Sequence, residues 1–145
     1  MLRFMKSLNN ISRSQATYRG LRVSRHGLCP SHHAFVLAIC KAPGRSQEEL
    51  ARELCLNKST VTRTLAHLEE QGYIKREQSP EDKRQLAVFP TERMLEALPE
   101  IRLVSREWHE RISEGIDEEE LAMFHSVLSR MEKRAKEIID GEDAV

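Results

Sequence analysis

The stretch from Lys58 to His67 carries side chains suited to a polyanion: Lys58, Ser59, Thr60, Thr62, Arg63 and His67. Val61, Leu65 and Leu68 recur through it at three- and four-residue steps. That spacing predicts a helix with an apolar stripe turned inward and Ser59, Thr62, Arg63, Ala66 and His67 turned outward. Small hydroxyls let a helix sit deep in a major groove, an arginine can grip a guanine edge with two hydrogen bonds, and a lysine can reach phosphate. Arg63 is the candidate for the base edge and Lys58 for the backbone. Acids on this helix, Glu69 and Glu70, come only at its far end, the pattern expected when only the start enters the groove. An ordinary solvated helix is the plain alternative.

A second cationic group follows. Tyr73 to Arg76 and Leu86 to Phe89 read as short strands around a polar turn from Gln78 to Asp82. Together they predict a two-stranded hairpin that projects from the helices and is not part of a larger sheet. Lys83 and Arg84 lie at its tip beside Asp82. An arginine there suits a narrow minor groove, where negative potential concentrates. Asp82 would brace the loop by pairing with Arg76 or Arg84. The candidate contacts of this wing are Arg76, Asp82, Lys83 and Arg84, and those of the preceding helix are Ser46 and Gln47.

These residues need helices to hold them. Ser46 and Glu49 form a capping box in front of Leu50, Ala51 and Leu54, Leu56 and Asn57 make a turn, and Gly72 occupies the C-terminal capping position of the next helix. Phe4, Leu8, Ile11 and Tyr18 stripe a first helix ending about Gly20. A second helix opens at Pro30, carries Phe35, Val36 and Ile39, and stops at Pro43 and Gly44. Beyond Thr91, read as a cap, Met94, Leu98, Ile101, Val104, Trp108 and Ile112 line a long helix that Pro99 should bend or divide. From Asp117 a last helix shows Leu121, Phe124, Leu128, Met131, Ala135 and Ile138 at near-heptad spacing, a face that wants another helix. The fold class is thus mostly α with a small β-hairpin. A winged helix-turn-helix lobe over 27–91 joins a helical dimerisation region built from both chain ends, 1–26 and 92–145.

Composition agrees. The 145 residues are 39% hydrophobic and 32% charged, with a formal net charge of zero, so any affinity for nucleic acid depends on where charges lie. No Asp or Glu precedes Glu48, whereas Arg3, Lys6, Arg13, Arg19, Arg22, Arg25, Lys41 and Arg45 do. Acids gather late, from Asp117 onward. Three cysteines, an odd number without paired spacing, argue against a disulfide framework and point to a reducing compartment, the cytoplasm. Polar residues interrupt any leader-like run, and no stretch nears the roughly 20 apolar residues of a membrane span. No phosphate-cradling glycine loop, nucleophile elbow or HExxH helix occurs, so an enzyme is not expected.

In order and in motif the segment SQEELARELCLNKSTVTRTLAHLEEQGYIKREQSPEDKRQLAVFPTE resembles the multiple-antibiotic-resistance regulator (MarR) family. The STVTR helix start, the LEEQGYI exit and Asp82-Lys83-Arg84 of the wing match most closely. The resemblance implies a homodimer whose terminal helices interlock while two winged lobes straddle double-stranded DNA, and a transcription regulator, a repressor in type. Dimer symmetry then asks for a pseudo-palindromic site with recognition helices roughly 34 Å apart. The family usually has Leu-Thr and then a glycine after the wing, whereas this chain has Pro90, Thr91 and Met94, so the hinge to the long helix differs. A winged-helix protein-interaction adaptor without DNA readout is the alternative from another class.

The resemblance also implies a signal. Relatives bind phenolic or other small apolar anions in a crevice, for which Arg22, His33 and Trp108 are the candidate lining, although Trp108 also continues a core stripe. Another branch senses peroxide through a cysteine in the first helix. None stands there in this chain, and Cys29 is the nearest analogue, a thiol beside a helix start. Cys40 and Cys55 read as buried small hydrophobes. His26, Cys29, His32 and His33 crowd together, but adjacent histidines diverge on a helix and no carboxylate is near, so no metal or cofactor is expected.

Overall fold

The computed structural model describes residues 2–22 and 26–142. Six helices and three short strands follow one another as α1 (Leu2–Arg22), α2 (His32–Lys41), β1 (Arg45–Ser46), α3 (Gln47–Leu54), α4 (Lys58–Glu70), β2 (Ile74–Gln78), β3 (Leu86–Pro90), α5 (Glu92–Ile112) and α6 (Glu118–Glu142). This is the mostly helical class with a small β element that the sequence predicts. The chain forms two compact units, residues 1–108 and 109–145.

The first unit is built around one apolar cluster. Phe35 and Ile39 of α2, Leu50 of α3, Val61, Leu65 and Leu68 of α4, Tyr73, and Met94 and Ile101 of α5 are all fully or almost fully buried in it. The stripes read from sequence on α2, α3 and α4 and at the start of α5 are therefore faces that pack, whereas Phe4 and Ile11 of the α1 stripe are exposed. α1 runs two residues past Gly20, to Arg22. α2 begins later than Pro30, at His32, because the turn before it closes with a bond from the His32 amide to the Cys29 carbonyl at 2.9 Å.

The sheet corrects the expectation of a lone hairpin. β1 pairs antiparallel with β3, setting Arg45 opposite Val88 and Ser46 opposite Ala87, so the order is β1-β3-β2. Gly44 makes this possible: its φ of +90° is open to glycine, and its amide donates to the Val88 carbonyl at 2.8 Å. An added Cβ would sit 3.3 Å from the Phe89 ring.

Helix ends follow local chemistry. The Ser46–Glu49 capping box is complete, each side chain accepting the other's backbone N–H. Asn57 caps α4 by accepting from the Thr60 amide at 2.8 Å. Gly72, at φ +76°, ends α4 in a Schellman motif, with Tyr73 N–H donating to the Leu68 carbonyl and Gly72 N–H to Glu69. Thr91 stands at the cap position of α5, its carbonyl accepting the Leu95 amide at 3.1 Å, but its hydroxyl is used elsewhere. Its hydroxyl donates to the carbonyls of Gly72 (2.6 Å) and Tyr73 (3.0 Å), tying the start of α5 to the base of the wing. α5 runs through Pro99 as one helix. The carbonyl that Pro99 leaves unpaired belongs to Leu95, an exposed residue that water can satisfy.

In the second unit, α6 has no buried residue among those described: Leu121 and Leu128 are half-buried, while Phe124, Val127, Met131 and Ile138 are exposed. No described helix is long and apolar enough to cross a membrane.

Candidate nucleic-acid interface

The amino-terminal half of α4 presents a polar and cationic surface. Lys58, Ser59, Thr62, Arg63 and His67 are exposed and Thr60 is half-buried. Local bonds order several of them. Ser59 Oγ donates to Asn57 Oδ1 at 2.9 Å. Thr62 Oγ1 donates to the Lys58 carbonyl at 2.8 Å and accepts from the Gln47 side chain, which pins the two helices of the pair together. Lys58 is only loosely held, its ammonium 3.9 Å from Glu48. With no acid in the first turn, the positive end of the helix faces outward unneutralised.

Ser46 is different. Its side chain is only 8% exposed and its hydroxyl belongs to the capping box. It caps α3 and does not face outward, while Gln47 beside it does so in part.

At the wing tip Asp82, Lys83 and Arg84 are all exposed. Asp82 braces the loop, but neither expected arginine guanidinium serves it: Oδ1 accepts the backbone N–H of Arg84 at 3.0 Å. Arg76 is committed elsewhere. Its Nε donates to Glu69 Oε2 at 2.6 Å and its Nη2 to Oε1 at 3.4 Å, joining β2 to α4. That bond holds the Glu69 carboxyl below the usual carboxylate range. Sequence reasoning missed this partner because acids seven residues away and six residues away look equally available until the turn at Gly72 is drawn.

Arg22 and Trp108 come together around Tyr18: the guanidinium lies 5.2 Å from the Tyr18 ring centre and the indole ring 5.4 Å from it. Arg22 also pairs with Glu107 at 3.5 Å and lines a cavity of about 520 Å³ with His26, Glu96, Pro99, Glu100, Leu103, Val104 and Glu107. His33 and Trp108 do not line it. Three carboxylates against one arginine leave the lining acidic, with Glu107 engaged by Arg22 and Glu100 by His26. His33 is fully buried, and neither ring nitrogen has a partner among the described residues. Burial, followed by nearby Arg19 and His32, pushes its pKa down to about 4.

The remaining histidines scatter. His26 pairs with Glu100, while His32 accepts the Cys29 N–H and stacks 5.3 Å from His67. Among the described residues no three His, Cys, Asp or Glu side chains form a metal-holding group. Cys29 is exposed, and Cys40 is half-buried with its pKa raised by burial. Cys55 corrects the expectation of burial: it is exposed, at φ 53° in the turn between α3 and α4.

Known proteins share this fold. The model of the MarR family matches residues 26–85. The HTH-type transcriptional regulator YybA of Bacillus subtilis is 24% identical over 129 residues, 89% of this chain and 86% of that protein. The crystal structure of MarR is 32% identical, covers 92% of this chain and 91% of its own, and superposes with a TM-score of 0.80. A MarR family regulator from Listeria monocytogenes, complexed with 26mer DNA, is 22% identical, covers 92% and 89%, and has a TM-score of 0.87.

Proposed function

The chain belongs to the MarR family of DNA-binding transcriptional regulators, and on that premise we propose that it is a homodimeric repressor reading a pseudo-palindromic operator. The observation that carries this reading is the placement of two separate cationic elements on one lobe. The acid-free start of α4 bears Lys58, Ser59, Thr60, Thr62, Arg63 and His67, and the wing tip bears Lys83 and Arg84. Arg63 takes a base edge in the major groove, Lys58 takes phosphate, and the wing lies along the adjacent minor groove. Gln47 supports the first of these through Thr62. The DNA-bound neighbour from Listeria, of the same fold, supports the assignment.

Dimer formation is supported by apolar side chains left uncovered at both chain ends, Phe4, Met5 and Ile11 on α1 and Phe124, Met131 and Ile138 on α6. Release follows from a small molecule entering the cavity beside Arg22 or from oxidation at Cys29. The acidic lining favours a ligand that carries a cationic group over a phenol.

Selection of duplexes from a random pool, followed by salt titration of the winner, tests the regulator reading. A palindromic motif with a steep salt slope is expected; recovery of no such motif sinks it. Repeating the titration with phenolic compounds, amines and a peroxide tests release, and complexes indifferent to all three remove that half of the proposal.

A further inference from the structure

We propose that Arg76 is a positioning residue and not a nucleic-acid contact, its forked pair with Glu69 fixing the angle of the wing against the recognition helix. This rests on the reading above, in which α4 and the wing occupy adjacent grooves.

The wing leaves α4 through a tight turn at Gly72, and β2 begins two residues later. A two-stranded tip on such a turn can swing, and a swing of a few degrees at the base displaces Lys83 and Arg84 by ångströms. Arg76 bridges this turn, reaching back seven residues to Glu69 with two nitrogens on two oxygens. The fork fixes direction as well as distance. Their side chains are 23% and 41% exposed, so the pair contributes modestly to folding and its value lies in geometry.

Sheet register gives the pair a counterpart. Arg76 stands opposite Val88, and Val88 stands opposite Arg45 on the other edge. Residues directly opposite share one face of the sheet, so an arginine flanks Val88 on either side. Arg45 pairs with Glu53 of α3 and donates to the Ala38 and Ala42 carbonyls. One row of the sheet is thus fastened to α3 through Arg45 and to α4 through Arg76. Glu69, at the carboxyl end of α4, is then part of the alignment of two elements and not a stray acid near DNA.

The test uses the full-length chain with Glu69→Gln, Arg76→Gln and the exchanged pair, Glu69→Arg with Arg76→Glu. In free protein, each single change should speed hydrogen exchange of the β2 and β3 amides severalfold while α4 amides stay as they were. On the selected duplex, each should cost roughly fivefold in affinity and strip protection from the flanking minor groove, without changing the salt slope. The exchanged pair should restore both readouts. Unchanged wing exchange in both single variants overturns the proposal. So does a salt slope lower by about one in Arg76→Gln together with tighter binding in Glu69→Gln, since that marks Arg76 as a phosphate contact which Glu69 competes for. If wing exchange responds but the unaltered chain selects no duplex, the alignment role stands and the DNA reading is what fails.

Discussion

Arg63 and Lys58 lie five residues apart on α4, yet they take different roles, and substitution separates them. A bidentate hold on a base edge is lost in Arg63→Ala, which should cost about 1 to 3 kcal/mol on the preferred duplex and much less on scrambled sequence. Lys58→Ala should weaken both duplexes evenly and lower the salt slope by about one. Titrations on matched and scrambled duplexes at several salt concentrations distinguish the two; equal losses for Arg63→Ala on both would remove it from the base edge. His33 supports a different prediction. Its pKa is near 4 in the fold, against an ordinary value near 6.5, so the unfolded chain binds the extra proton first as pH falls. The stability that neutral His33 contributes is complete above about 6.5 and is lost progressively toward 4, on the order of 3 kcal/mol across that window. Denaturant melts from pH 8 to pH 4 should therefore show a shallower acid decline for His33→Leu than for the unaltered chain. Among single residues, helical phase placed Arg63 outside and residue type marked Lys58, while strand and turn signals placed Lys83 and Arg84 at a hairpin tip. Pairing choices such as Arg76 with Glu69, or the spending of the Thr91 hydroxyl on Gly72 and Tyr73, depend on backbone turns that phase does not encode.

Elements with a repeating stripe were legible, and those without one were not. α4 and α5 announce their inner faces through several turns of apolar spacing, and the capping box marks the start of α3 within four residues. β1 has only two residues, too few to alternate, and its partners Val88 and Ala87 lie some forty positions away, so the third strand emerges only when Gly44 turns the chain back. Cys55 was misread for a related reason. Its apolar neighbours suggest burial, but the left-handed turn carries it to the surface. The capping box gives this scale its own prediction. Ser46→Ala removes the acceptor for the Glu49 amide and should lower stability by about 1 kcal/mol. Because the Ser46 hydroxyl is occupied inside the lobe, the salt slope and base preference on DNA should stay unchanged. A melting curve paired with one salt titration checks both, and a flattened slope would return Ser46 to the list of phosphate contacts.

For the whole molecule, the deciding fact is what a single copy leaves uncovered. α6 is 25 residues long with no buried residue among those described, and Phe124 is 48% exposed in the middle of its stripe. On the proposed reading a second copy covers that stripe, and two-fold pairing then makes each lobe meet one half of a palindrome. Binding of the two lobes is then linked: once one half-site is held, the other lobe sees its own at high effective concentration. Phe124→Asp combined with Met131→Asp places charge in that seam while leaving the winged lobe, which has its own core, intact. Sedimentation equilibrium should then report monomers, and affinity for the full palindrome should fall about a hundredfold or more while affinity for an isolated half-site barely moves. If the doubly substituted chain still sediments as a dimer with full affinity, the seam lies on other surfaces. Monomers that keep full affinity would show instead that each lobe acts alone, and the palindrome would lose its physical reason.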